Sequence, residues 1–170
     1  MGREILVRPY RPTDFEACRA LWAELTQRHR DVYDDPTIGG DAPGRGFDQY
    51  LARPDLVGTW VAEVEGRVAG LAGLLGEGEE AEVEPVVVAA QRRSQGIGRL
   101  LVERVVEEAR VRGVRFLGVR PVARNVEAVS FFVENGFTLL GYVDLFQDLA
   151  PGSEREWKDG VTIHGHVLRY

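Results

Sequence analysis

The chain has 170 residues, of which 44% are hydrophobic and 28% charged, proportions that suit one soluble globular domain with a substantial core. A formal net charge of −6 argues against non-specific nucleic-acid binding, and no apolar stretch is long enough to span a bilayer. A lone cysteine, Cys18, excludes an internal disulfide, and Met1 to Val7 contain no apolar signal region, so the expected setting is reducing and cytoplasmic.

Ile5 to Arg8 read as a first strand, closed by Pro9-Tyr10-Arg11-Pro12. Thr13 is a candidate cap for a helix in which Phe15, Cys18, Leu21, Trp22 and Leu25 recur at helical spacing. On that face Cys18 reads as a buried structural thiol rather than a nucleophile. His29 to Gly46 is polar, carries glycine and proline, and reads as an irregular connection, followed by a short helix from Phe47 to Ala52. Thr59 to Glu65 and Val68 to Leu75 form a predicted hairpin about Glu65-Gly66. Gly76 to Glu80 turn the chain into a central strand, Ala81 to Ala89, where Pro85 cannot donate to a ladder and demands a bulge or an unpaired edge.

Gly96 to Arg112 read as the main helix, with Ile97, Leu101, Val105 and Ala109 on one face and Gly113 as its stop. Val114 to Val119 would be a fifth strand. Asn125 can cap a further helix that Asn135-Gly136 ends. Phe137 to Gln147 and Val161 to Leu168 read as the last strands, with Ala150 to Gly160 as a loop between them. Strands alternating with helices, with hairpins at both ends, imply an α/β fold built on a mixed sheet.

The segment Arg93-Ser94-Gln95-Gly96-Ile97-Gly98 lies between the apolar run Val86 to Ala90 and the main helix. Glycines there let backbone N–H groups approach a ligand, and the helix N-terminus adds its unpaired donors and dipole, which together favour a phosphate. A dinucleotide fingerprint fails because Leu101 stands at its third glycine; a P-loop fails because Arg99 and Leu100 follow Gly98.

What remains, Arg-x-x-Gly-x-Gly, resembles the acyl-CoA pyrophosphate loop of the GNAT superfamily of N-acyltransferases. Asn125, Ala128, the pair Phe131-Phe132 and Gly136-Phe137 are similar in type and spacing to that family's second signature. The likeness is sharp from about Glu82 to Phe137, roughly a third of the chain, within one N-acyltransferase domain spanning 1–170. The resemblance implies a GNAT-like mixed sheet with a splayed central strand and flanking helices. It implies acetyl-CoA as cosubstrate, held by Arg93, Ser94, Gln95, Gly96, Ile97, Gly98 and Arg99, by backbone groups at Val86 and Val88, and by Asn125 and Phe132. No metal is implied.

Direct transfer to a primary amine needs a base, an oxyanion donor and an acid. Glu82 and Glu84 are the candidate bases; they share a face with Val86 unless Pro85 shifts the register. A glutamate at the position of Glu82 looks like the base of some family members, while solvated strand carboxylates are the plainer reading. Phe132 stands where many members carry a tyrosine acid, which leaves Tyr142, Ser130 or water to protonate the thiolate. That departure keeps open a non-catalytic acyl-CoA-binding or sensor module.

Asp31, Asp34 and Asp35, with Tyr33, are the candidate acceptor site and favour a small cationic amine. His164 and His166 would alternate onto one side of the last strand, without a third ligand for a metal. Trp60 and Trp157 read as packing residues. The resemblance leaves a homodimer through the C-terminal strands open.

Overall fold

A two-residue turn sets the register of the sheet's centre. Glu65 and Gly66 hold φ of 53° and 75°, the two left-handed positions that a type I′ hairpin needs, and they join β2 (Leu56–Val64) to β3 (Arg67–Leu75). The structure is a computed structural model that describes residues 4–76, 78–147, 149, 157 and 159–169. These fall into two compact units, Met1–Arg120 and Pro121–Tyr170, described in turn.

In the first unit, β1 (Ile5–Pro9), β2, β3, β4 (Glu80–Val88) and β5 (Phe116–Gly118) make one sheet in chain order. The first four strands are antiparallel to their neighbours, and β5 runs parallel to β4. The sheet is therefore mixed and flanked by helices, as expected. Two expected strands differ in length: β2 starts at Leu56 rather than Thr59, and β5 keeps only the middle of Val114 to Val119.

Neighbouring strand residues face opposite sides, so the sheet's two faces can be read from β3. Leu71 and Leu75 pack with Val61, Val87 and Ala89 against Cys18 and Leu21 of α1 (Phe15–Tyr33) and Phe47 and Tyr50 of α2 (Gly46–Leu51). Gly70, one residue from Leu71, turns its α-carbon towards Ile97 and Leu101 of α3 (Ile97–Val111). The predicted stripe on α3 is buried throughout: Ile97, Leu101, Val105 and Ala109 are all lost to solvent, about 2 kcal/mol for each of the larger side chains. Gly113, at φ 78°, closes that helix as expected.

The start of α1 corrects the reading of Thr13. Pro12–Asp14 form a 3-10 turn, and Asp14 rather than Thr13 accepts the Arg11 N–H, at 2.8 Å. Asp14 is buried and takes two bonds from the Arg8 guanidinium, which also reaches Glu63. Hydrogen bonding from Arg8 holds the Asp14 carboxyl below its ordinary range. The far end of α1 is a second correction. The helix runs on to Tyr33, because Asp34, at φ 52°, supplies the left-handed cap that ends it.

The second unit holds α4 (Val126–Glu134), whose cap is as predicted: Asn125 Oδ1 accepts the Ala128 N–H. Phe137 to Gln147 form no strand, and the expected single strand over Val161 to Leu168 is instead a hairpin, β6 (Asp159–Ile163) and β7 (His166–Arg169). His164 and Gly165, at φ 50° and 82°, make its turn, the same two-residue device as Glu65-Gly66. Most of the expected Ala150 to Gly160 loop, like Met1 to Arg3, lies outside the described residues. No helix among the described residues is long and apolar enough to cross a membrane.

Candidate functional site

β4 and β5 part almost as soon as they meet. They pair only at Glu80–Phe116, Ala81–Leu117 and Glu82–Gly118, so from Val83 onward the β5-side edge of β4 has no strand partner among the described residues. On its other side β4 stays paired with β3, but the register slips between Ala72–Val86 and Leu74–Val83. One extra residue is thereby accommodated in β4 around Glu84-Pro85, where Pro85 called for a bulge. Gly73 lies opposite, paired with Thr59 of β2 but with no residue of β4, and a Cβ there would collide with the Tyr50 hydroxyl and the Glu84 carbonyl.

The slip is the register shift that Pro85 was expected to allow, so Glu82, Glu84 and Val86 do not all share a face. Glu82 lies opposite Leu75 and therefore on the α1–α2 side, whereas Val86 and Val88 lie opposite Ala72 and Gly70, on the α3 side. The bulge thus sends the carboxylate and the two valines to different sides of one strand.

Beyond Val88 the chain makes a short 3-10 turn, Ala90–Arg92, then the loop into α3. Two carboxylates distant in sequence hold the turn: Glu24 of α1 accepts the Ala90 N–H at 2.8 Å, and Glu65 takes Arg92 at 3.0 Å. Arg93 folds back so that its Nε donates to the Val88 carbonyl at 3.3 Å. Ser94 and Gly96 adopt left-handed φ of 59° and 81°, and no side chain caps α3 at Gly96. The first helical bond is Leu100 N–H to Gly96 O, so the N–H groups of Ser94 to Arg99 meet no protein acceptor among the described residues. An exposed row of such donors at a helix N-terminus attracts an anion. Arg99 lies exposed beside it, paired with Glu103.

At the other end of β4, Glu82 is the last residue paired to β5, and Arg120, two residues past Gly118, reaches back to form an ion pair with it. The Glu82 side chain is 19% exposed. Burial pushes its pKa up, against the pull of Arg120 and Arg53 and with the push of Glu84 and Asp55. Arg53, after α2, grips Asp55 with Nε and Nη2 at 2.9 and 2.8 Å and holds Nη1 at 3.8 Å from Glu84. Both candidate bases therefore belong to one cluster of three carboxylates and two guanidinium groups. A depression of about 520 Å³ opens beside Asp55 and Ala81 at this end of the sheet, away from the 93–99 loop.

The acidic stretch expected to bind the acceptor is engaged locally. Asp31 accepts from Gln27 within α1, Asp34 is the helix cap, and Asp35 accepts from the Thr37 N–H and hydroxyl. In the second unit, Asn125 caps α4, Phe132 contacts Phe131 and Phe137 edge-on, and Tyr142 is 82% exposed on a segment without regular structure. His164 occupies the hairpin turn and His166 begins β7, so they do not alternate along one strand. Trp60 is buried beneath the Arg104 guanidinium and Trp157 stacks with Arg124, both packing roles. Sequence reading missed Glu24, Arg53, Asp55 and Arg120, since no local pattern marks partners drawn together by the sheet.

Similarity to known proteins agrees with this geometry. The chain is 28% identical over 114 residues to an uncharacterised N-acetyltransferase of Methanocaldococcus jannaschii, a match covering 55% of this chain and 50% of that one. The chain thus spans about half the length of that relative. An aminoglycoside N-acetyltransferase solved with CoA shares the fold at a TM-score of 0.66 and 18% identity, over 88% of this chain and 98% of that one. A ribosomal-protein-alanine N-acetyltransferase from Brucella melitensis matches at 27% identity and a TM-score of 0.60, over 77% and 83% of the two chains. Residues 15–137, from the start of α1 to the end of the second signature, match the acetyltransferase (GNAT) family, and the chain belongs to that family.

Proposed function

We propose that the protein is an N-acetyltransferase that moves the acetyl group of acetyl-CoA directly to a primary amine, with the chain from 1 to 170 acting as one domain. The observation that carries this reading is the row of unpartnered N–H groups from Ser94 to Arg99, set just beyond the strand edge that β5 leaves free. Arg93 and Arg99 add positive charge there. The free edge of β4 at Val86 and Val88 offers backbone groups to the pantetheine arm and an N–H to the thioester oxygen, an interaction worth about 3 kcal/mol in other enzymes. The cofactor contacts that family resemblance gives Asn125 and Phe132, and the role of Tyr142 as a candidate acid in place of the tyrosine missing at Phe132, belong to the same proposal.

The amine nitrogen attacks the thioester carbonyl and forms the C–N bond. Its proton passes to the Glu82 carboxylate, directly or through water, with Glu84 as the alternative base. The C–S bond then breaks and the thiolate takes a proton from Tyr142, Ser130 or water. Burial of Glu82 supports its part, since a base whose pKa lies nearer the working pH holds an amine proton better.

Titration calorimetry with acetyl-CoA is the test: binding at sub-millimolar ligand is expected, and no heat at millimolar ligand overturns the reading. One observation favours a second reading, a non-catalytic acyl-CoA-binding module, because Phe132 has no proton to give. Amine-dependent release of free thiol excludes it.

A further inference from the structure

The charged cluster at the mouth of the β4–β5 gap has a composition that a purely cationic acceptor does not explain. Glu82, Glu84 and Asp55 are matched there by Arg53 and Arg120. The two arginines are used differently. Arg53 is committed to Asp55 through two parallel bonds, the strongest arrangement a guanidinium makes with a carboxylate. Arg120 is 68% exposed, and its Nη1 bond to Glu82 is the only hydrogen bond it makes among the described residues. A guanidinium carries five N–H donors, so most of its capacity faces outward.

We propose that the acceptor is an amino acid, an amine with a carboxylate close to the reacting nitrogen, and that Arg120 selects it by binding that carboxylate. The inference rests on the acetyltransferase reading above and gives its acceptor a chemical class. The physical argument is an exchange of partners. In the free protein Glu82 and Arg120 satisfy each other across the gap. A zwitterion whose ammonium and carboxylate are one or two carbons apart replaces that pair with two, ammonium on Glu82 and carboxylate on Arg120. No charge is left unpaired in a half-buried place, which would otherwise be costly. A simple cationic amine would instead bring a second positive charge to a carboxylate already holding Arg120. The acidic residues that would have favoured such an amine, Asp31 and Asp35, are bonded to Gln27 and Thr37.

The same exchange prepares the base. Once Arg120 turns to the acceptor's carboxylate, Glu82 loses the cation that most favours its ionised form, while its burial remains. Its affinity for the amine proton rises only when the right acceptor is seated. In this account Glu82 is the catalytic residue, and Arg120 determines specificity.

The test compares matched acceptors: free amino acids, their amides, and the corresponding amines without the carboxyl group, with rates referred to the unprotonated amine. The acids should exceed the amides in kcat/KM by about tenfold or more, the size of a charge-assisted bond, with most of the difference in KM. R120Q should bring that ratio close to one, and R120K, which keeps the charge without the planar fork, should retain part of it. Amides or decarboxylated amines that serve as well as the acids overturn the inference, as does a ratio that R120Q leaves intact. These results leave the acetyltransferase reading standing. Absence of turnover with every amine overturns both. Should R120Q fold poorly, the acid-to-amide ratio in the unaltered protein and in R120K decides alone.

Discussion

The two ends of β4 are built on opposite principles. At its start, as far as Glu82, the strand is paired on both sides, and what this end presents is side-chain charge: Glu82 with Arg120 and, in the adjoining bulge, Glu84 with Arg53. At its end the β5 side is open among the described residues, and the chain beyond presents main-chain donors from Ser94 to Arg99. A backbone N–H is the same group whatever residue carries it, so that end can hold an invariant anion with few sequence constraints. Charged side chains can be exchanged one at a time, so the other end can be fitted to a particular amine. Between them lies the Glu84-Pro85 bulge, which turns Glu82 and Val86 to different faces and so separates the two kinds of group.

The comparison is most directly tested at Glu82. E82Q keeps the shape of the side chain and its capacity to accept from Arg120 but cannot take a proton. General-base catalysis contributes about 10²- to 10⁴-fold, and kcat/KM should fall by that order while acetyl-CoA still binds. The pH profile gives a second check. As the proposed base Glu82 would work ionised, and burial raises its pKa above that of an ordinary glutamate. The loss of rate on acidification should therefore begin at higher pH than an exposed glutamate would give, and E82Q should flatten that limb. An unchanged limb would assign it to another group, Glu84 first.

The joint between the two ends is the next place to press. Gly73 faces the bulge without a partner in β4, and its missing Cβ leaves room for the Tyr50 hydroxyl and the Glu84 carbonyl. Tyr50 is buried and shares a hydrogen bond with Thr59 at 3.1 Å, so it has little freedom to withdraw. G73A should cost about 3 kcal/mol in urea unfolding, the upper range for overpacking a core. Both ends of β4 should suffer together, as weaker acetyl-CoA binding and lower turnover. Near-normal stability would mean that the bulge is softer than its packing implies.

What the sequence made legible follows the same division. Features that depend on neighbours in the chain could be read: the α3 stripe from Ile97 to Ala109, the Glu65-Gly66 turn, the bulge demanded by Pro85, the Asn125 cap. The strand, glycine loop and helix start from Val86 to Gly98 were legible for that reason, since they lie within a few residues of one another. Features that depend on long-range pairing could not. Glu24 reaches Ala90 and Arg120 reaches Glu82 only because the sheet brings them together. Asp31, Asp34 and Asp35 looked like a free acidic patch because the sequence does not announce that α1 continues to Tyr33 and uses them locally. His164 and His166 misled because the segment was read as one continuous strand, whereas His164-Gly165 turns the chain with the same left-handed pair as Glu65-Gly66.

The smallest expected effect probes the backbone end. Gly96 sits at φ 81°, and a Cβ there would meet nothing within 4 Å, so alanine brings no clash and only a conformational cost. For a residue other than glycine that cost is about 1–2 kcal/mol, and the loop can shed it by rotating towards negative φ. Rotation would turn the N–H groups of Ser94 to Arg99 out of alignment. The acetyl-CoA dissociation constant of G96A should accordingly rise about tenfold by calorimetry. The amine KM, which the proposal assigns to the other end of β4, should move far less. Because no new contact is made, any loss in G96A comes from main-chain geometry alone. Equal shifts in both constants would mean that loop and charge cluster respond as one body, and the division between the two ends of β4 would fail.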